Sequence, residues 1–279
     1  MAPLDLFDRI QETAAFLHDR GVGAVDVGVI LGSGMSAVAD MLEDPLIIPY
    51  DEIPHWGVTS VTGHRGELRY GRIGQSHVLM CAGRLHYYEG YPMWQVAYAM
   101  RVMKALSAAM VVTTGAAGGL NPDYTPGDVV LLHDHVSLMP DNPLRGPHDP
   151  RLGVRFPDMS RPYDVGLRHR ILSHATALAF EVREGVYAGV AGPNLETSAE
   201  YFFLRKSGAD MVGMSIIPDA IVAVQSGLRL LGMCVISNDC SNPLQTGQTT
   251  VEEVIRVVEA ATDKVAQFVR LLCDAPRRA

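Results

Sequence analysis

Leu4, Phe7, Ile10, Ala14 and Leu17 recur at helical spacing, and the pattern predicts a first helix closed by Gly21. Val25 to Leu31 is an unbroken apolar run that ends in Gly32-Ser33-Gly34, before a helical Met35 to Leu42. This reads as strand, glycine turn and helix. Leu68 to Ile73 and His77 to Cys81, separated by Gly74, read as a strand pair. A helix is expected over Pro92 to Leu106, with proline near its first turn. A buried strand over Met110 to Thr114 is expected to break at Gly115-Ala116-Ala117-Gly118-Gly119. Helices and strands then alternate through 163–180, 185–190, 198–207, 211–214, 219–228, 231–237 and 251–272. Such alternation predicts a largely parallel sheet covered by helices. Residues 139–162, rich in Pro, Asp, Arg and Gly, form the longest loop-like stretch, and loops of that length in a compact domain tend to be functional.

The 279 residues fit one large domain or two small ones, and the continuous α/β pattern favours one, 1–279. With 48% apolar and 19% charged residues, the chain has enough apolar material for a substantial core. The net charge of −8 argues against a nucleic-acid polymer or an anionic membrane as main partner, while a small anion in a locally basic pocket stays compatible. The four cysteines show no metal-ligand spacing, and Cys81 and Cys234 sit in apolar runs. No signal peptide and no run of transmembrane length is expected, and the reading is a cytoplasmic protein.

The chemistry concentrates in a few motifs. In Gly83-Arg84-Leu85-His86-Tyr87-Tyr88-Glu89-Gly90 a guanidinium, an imidazole and a phenol alternate, so in an extended segment Arg84, His86 and Tyr88 share a face. Arginine suits a phosphate-like oxyanion, histidine donates or shuttles a proton, and tyrosine adds a flat ring. The Gly32-Ser33-Gly34 turn offers backbone N–H groups to an anion, but it is neither a GxGxxG fingerprint nor a Walker loop. His64 lies in a glycine-flanked turn and gains weight only if it meets Arg84 and His86. Thr197 and Glu200 form an expected capping box, which leaves Glu196 free for other work. Gly213-Met214-Ser215 and Ser237-Asn238-Asp239 end two further strands. Each motif alone reads equally as a plain turn; their convergence at strand carboxyl ends, where α/β ligands bind, is the stronger signal.

Taken in order along nearly the whole chain, these blocks, with Asn142-Pro143-Leu144-Arg145-Gly146-Pro147 and Gly192-Pro193, resemble the trimeric, low-molecular-mass purine nucleoside phosphorylases. The resemblance implies a three-layer α/β/α domain with a mixed, largely parallel central sheet. It implies a pentosyl transfer of purine salvage: inorganic phosphate, as co-substrate and without another cofactor or metal, cleaves inosine or guanosine to base and ribose 1-phosphate. Matched by position, Ser33, His64, Arg84, His86, Ser215 and the backbone N–H of Ala116 correspond to phosphate contacts. Tyr88 and Met214 correspond to ribose contacts, Leu195, Glu196 and Asn238 to the purine site, and His86, Glu196 and Asn238 to the catalytic set. Phe156 corresponds to an aromatic residue that enters a neighbouring subunit's site, which implies a homotrimer.

The sequence departs from the family pattern at Gly115, where Asn is usual, at Ile216, where Thr is usual, at Asp219 in place of Glu, and at Leu195 in place of an aromatic. Val251 stands where histidine is common, so a methylthioadenosine- or methylthioinosine-type phosphorylase is the alternative. Asp239 would reach the base if the register shifted by one. A nucleoside-binding protein without catalysis and a dinucleotide oxidoreductase are the competing classes. The second lacks the acidic strand end expected about 20 residues past the glycines.

Overall fold

The computed structural model describes residues 5–174, 180–242, 244 and 249–274. Helix α1 spans Leu6–Asp19, with Asp5 accepting a hydrogen bond from the Asp8 amide at 2.9 Å as its N-cap. Strand β1, Val27–Ile30, leads to Gly32-Ser33-Gly34, but the expected helix is a 3₁₀ segment, Ser36–Met41. Strands β2, Glu43–Pro49, β3, Glu67–Ile73, and β4, Ser76–Ala82, form an antiparallel meander. The single helix expected over 92–106 is two, α2 at Met93–Val96 and α3 at Tyr98–Ala105, broken where Ala97 leaves helical geometry.

Strand β5 runs Met110–Gly119, straight through the glycine-rich stretch expected to end it. Then follow β6, Val129–Ser137, α4, Val165–Ser173, β7, Val182–Gly189, α5, Ser198–Lys206, β8, Met211–Gly213, α6, Ile217–Ser226, and β9, Arg229–Asp239. The chain closes with α7, Val251–Ala260, and α8, Thr262–Cys273. The expected helix over 163–180 falls partly outside the described residues.

Among the described residues the nine strands make one sheet in the order β2-β3-β4-β1-β5-β8-β7-β6-β9, and β9 pairs back onto β5. The last five strands therefore close into a ring. Five of the strand pairs are parallel and four antiparallel. Side chains alternate across β1. Val27 and Val29 pack with Leu167 of α4 and Phe268 of α8, whereas Ile30 packs with Leu17 of α1 and Met103 of α3. That alternation makes three layers, helices on both faces of a mixed sheet. Gly28 is required on the α3 side, where a Cβ would stand 2.5 Å from the Met103 sulfur.

The ring decides where a site can form. Strands β6, β7 and β8 run opposite to β5 and β9. Strand β8 meets β5 only at Gly118 and Gly119, beyond an irregularity in the β5–β9 register. The end of β8 thus lies beside the glycine-rich half of β5, not along a common carboxyl edge. No helix among the described residues is long and apolar enough to cross a membrane.

Candidate active site

The chain leaves β4 at Gly83, whose φ of +128° favours glycine and where a Cβ would stand 2.8 Å from His64. It reaches His86, whose backbone is extended, and then turns through the 3₁₀ segment Tyr87–Glu89, closed by Gly90 at φ +91°. The turn folds Glu89 back onto His86. The His86 amide donates to Glu89 Oε1 at 2.8 Å, and His86 Nδ1 lies 3.2 Å from the same oxygen. Ser60 donates to Oε2 from its amide, at 2.7 Å, and from its hydroxyl, at 2.9 Å. Burial alone would raise the Glu89 carboxyl; the hydrogen bonds from His86 and Ser60 outweigh it and hold the group at about 2. Glu89 is therefore ionised, and His86 Nδ1 is the protonated nitrogen of the neutral ring. Burial lowers the His86 pKa, with Glu89 opposing. The remaining nitrogen, Nε2, then carries a lone pair.

Tyr88 stacks on His86 with ring centroids 4.8 Å apart, and the His64 ring, tilted by 45°, has its centroid 5.5 Å from that of His86. His64 Nε2 is 3.2 Å from Ser33 Oγ, while Nδ1 is buried without a hydrogen-bond partner. Burial, with smaller effects of His86 and Arg84, drives His64 down to about 3, so it too is neutral.

Arg84 goes elsewhere. It is buried, and its guanidinium donates to Thr113 Oγ1 at 2.8 Å, to the Thr114 carbonyl at 3.2 Å and to the Asp219 carboxylate of α6. This corrects the expectation that Arg84, His86 and Tyr88 project into one pocket. Alternation ends at the Tyr87–Glu89 turn, and the carboxylate of Asp219 claims the guanidinium.

The late half of the chain supplies the opposite wall. Gly192 has φ +67°, and a Cβ there would stand 2.3 Å from the Met214 sulfur and 3.1 Å from Tyr88, so its bareness lets those two side chains pack. Thr197 caps α5 in a capping box with Glu200, as expected, and Glu196 is left outside it. Burial raises the Glu196 carboxyl, against hydrogen bonding that includes the Tyr201 hydroxyl. The Asn238 amide is oriented by its neighbours: Ser237 Oγ is 2.6 Å from Oδ1, and Nδ2 donates to Cys240 Sγ at 3.0 Å. Ser215 receives its position from Tyr187, whose hydroxyl accepts from the Ser215 amide at 3.1 Å.

These walls enclose one cavity of about 430 Å³. Ser33, His86, Ala116 and Ser215 line it; so do Tyr88 and Met214, and Leu195, Glu196 and Asn238. Residues from 33 to 238 thus converge on one space, across the junction of the oppositely directed strands. Val251 lines it as well, 61% exposed and flanked by Val254 and Ile255 of α7, with Val61 also on the wall. Of the candidate residues, His64 stands behind Ser33, Arg84 is turned to Asp219, and Phe156, 87% exposed in the long loop, is not on this chain's cavity. Asp239 is exposed and off the wall, with its carboxylate accepting from the Ser241 amide.

The phosphorylase superfamily profile matches residues 26–273. Purine nucleoside phosphorylase 1 of Geobacillus stearothermophilus is 42% identical over 94% of this chain and 96% of its own length. The chain belongs to the purine nucleoside phosphorylases. The bovine purine nucleoside phosphorylase is 40% identical over 95% of this chain and 94% of its own. A solved structure of isoform 2 of the Schistosoma mansoni purine nucleoside phosphorylase, in complex with cytosine and ribose-1-phosphate, superposes with a TM-score of 0.93 at 33% identity, covering 99% of this chain and all of that one.

Gly115 and Ile216, both expected from the sequence to depart from the family pattern, pack against each other. A Cβ at Gly115 would stand 3.1 Å from Ser215 Oγ and 3.2 Å from Ile216 Cδ1, so the isoleucine fills the space beside the glycine. Ile216 itself sits at φ +34°, an outlier for a β-branched residue, at the turn into α6. Glu89 and Ser237 lie inside motifs noted above without a role of their own, and Tyr201 of α5, also on the wall, carries no motif signal. Glu89 was detectable, since it lies three residues after His86, the spacing of a capping box.

Proposed function

We propose that this chain cleaves 6-oxopurine ribo- and deoxyribonucleosides with inorganic phosphate, giving the free base and the pentose 1-phosphate. One observation carries the reading: an anion-suited wall, Ser33, His86 and Ser215, and a purine-suited pair, Glu196 and Asn238, share a single cavity. The presence of ribose-1-phosphate in the Schistosoma mansoni relative supports a sugar phosphate as the bridging ligand.

In this reading the Ser33 and Ser215 hydroxyls and the Ala116 backbone hold phosphate, and the lone pair on His86 Nε2 accepts the hydrogen of monohydrogen phosphate. A phosphate oxygen bonds to the anomeric carbon as the glycosidic C–N bond breaks, and that bond's electron pair leaves on the purine. Positioning and charge stabilisation supply the acceleration. Asn238 donates to the purine N7/O6 edge as it gains charge, and Glu196 accepts from N1–H. Adenine has no hydrogen at N1, and a buried carboxylate facing a lone pair costs about 1–3 kcal/mol, roughly 5- to 150-fold in preference. Tyr88 and Met214 flank the sugar. Arg84 contributes from behind the wall, beside Thr114. Phe156, exposed and apolar, completes a neighbour's site in a homotrimer. No group beyond phosphate is required, and the compartment we propose is the cytoplasm.

A second reading has its own observation. Val61, Val251, Val254 and Ile255 make part of the cavity wall apolar, which suits a 5′-methylthio group better than a free 5′-hydroxyl. A panel of inosine, guanosine, adenosine and the 5′-methylthio nucleosides, each with and without phosphate, separates the two. Phosphate-dependent hypoxanthine release from inosine as the best reaction supports the first, and a preference for 5′-methylthioinosine supports the second. Base release that ignores phosphate defeats both.

A further inference from the structure

A second cavity, of about 290 Å³, shares no lining residue with the first. It opens between α1, α3, α6 and the loop 139–162. Arg9, Arg101, Arg145 and Arg155 all reach it, in a chain whose net charge is −8. One carboxylate, Asp149, is on its wall, and that group is already held by Arg151, at 2.9 Å from Nε and 2.6 Å from Nη2. Arg145 pairs with Asp141 on the exposed side.

Arg101 is the unusual member. It is only 4% exposed, its Nε has no hydrogen-bond partner, and no ion pair reaches it among the described residues. Burial lowers its guanidinium to about 10, which still leaves a cation at neutral pH. On the same wall Gln225 Oε1 is buried and equally without a partner. A buried, unpaired cation and a buried, unpaired acceptor are both costly to keep. A ligand that satisfies them recovers that cost. The rest of the lining says what else the ligand is: the Trp94 ring, with Arg9 5.5 Å above it, and the apolar Leu6, Leu144 and Leu152.

We propose that this cavity binds a small phosphate monoester with a flat ring, its phosphate against Arg101 and Arg155 and its ring against Trp94. Several guanidiniums around one space suit a dianion better than a single carboxylate. The Gln225 carbonyl accepts a hydrogen bond from the ligand's protonated oxygen or nitrogen. The site shares no wall with the phosphorolytic cavity of the same chain.

The chain has two tryptophans, so a Trp56→Phe background leaves Trp94 as a reporter on this wall and off the other. Phenyl phosphate is titrated against its emission, with phenol and inorganic phosphate as separate arms. The expected result is a saturable change with phenyl phosphate, weaker binding of inorganic phosphate and none of phenol. Arg101→Met should weaken the ester about tenfold or more, and Arg155→Gln should weaken it in the same direction. Base release by Arg101→Met should stay within about twofold of the parent, and Ser215→Ala should leave the titration unchanged. No saturable change overturns the proposal, as does a titration that survives both arginine variants or is lost with Ser215→Ala. A Trp94 signal that responds only to protein dilution also overturns it, because a second copy of the chain then fills the cavity.

Discussion

Arg84 and Asp219 form a buried ion pair that joins the segment after β4 to helix α6, 135 positions apart. Thr113 Oγ1 donates to the same carboxylate oxygen at 2.8 Å and accepts from Arg84 at 2.8 Å, so the three groups form a closed network next to Gly115 of the cavity wall. Removing one partner of such a pair leaves an uncompensated buried charge. Asp219→Ala should cost about 3–5 kcal/mol, read as a fall in the urea midpoint, and Asp219→Asn should cost less because it keeps an oxygen acceptor. Midpoints unchanged in both variants would show that the pair does not hold in solution.

Glu89 gives a pH prediction with a definite sign. Its folded pKa, about 2, lies below the ordinary 4.5. Ionised Glu89 therefore favours the folded state, fully above pH 4.5, and this contribution fades as pH falls toward 2. Glu89→Gln should be less stable than the parent at pH 7, and the gap should narrow on acidification through that window. A gap that stays constant down to pH 3 would mean that the carboxylate is not the stabilising form.

Base preference tests the purine pair. Asn238→Asp replaces an amide donor with an acceptor, which suits a 6-amino group rather than a 6-oxo group. The ratio of kcat/KM for inosine over adenosine should fall by roughly 5- to 150-fold. In the parent, burial of Glu196 should also place the acid limb of kcat/KM for inosine above the ordinary glutamate range, and Glu196→Gln should remove that limb. An unchanged ratio would remove Asn238 from the base site.

Gly115 and Ile216 should behave as a unit. Gly115→Ala crowds Ser215 Oγ and Ile216 Cδ1 and should cost about 1–3 kcal/mol. Ile216→Val deletes the crowding Cδ1, so the double variant should be more stable than the two single costs add up to, by about 0.5 kcal/mol or more. Strict additivity in denaturation midpoints would contradict the packing described.

The parts of this fold that follow from local patterns are legible in the sequence: the amphipathic α1, the meander of β3 and β4, and the Thr197–Glu200 cap that sets Glu196 apart. Other parts depend on tertiary pairing. Strand β2 carries Pro45 and Pro49, tolerated because it is a sheet edge. The Gly-Ala-Ala-Gly-Gly stretch looks like a turn, yet it stays in β5 because Val212, Ile216 and Cys240 pack where side chains would be. The pattern gives no strand over 129–137, where polar His133 and Asp134 and a register shift interrupt β6. Ser33, His86, Ser215, Glu196 and Asn238 stand out in the sequence as candidates and line one cavity, but side-chain directions, as at Arg84, are not legible in it. Nothing near Arg84 in sequence announces Asp219, Val61 lies in a stretch without a motif, and Tyr201 of α5 and Ser237 of β9 reach the cavity wall only through tertiary packing.

A crystal structure of the chain with hypoxanthine and inorganic phosphate tests the shared cavity most directly. Phosphate is expected against Ser33, His86 and Ser215, and the base between Glu196 and Asn238, with room for one sugar between them. A base bound away from Glu196 and Asn238, or a phosphate separated from it by more than a sugar spans, would contradict it.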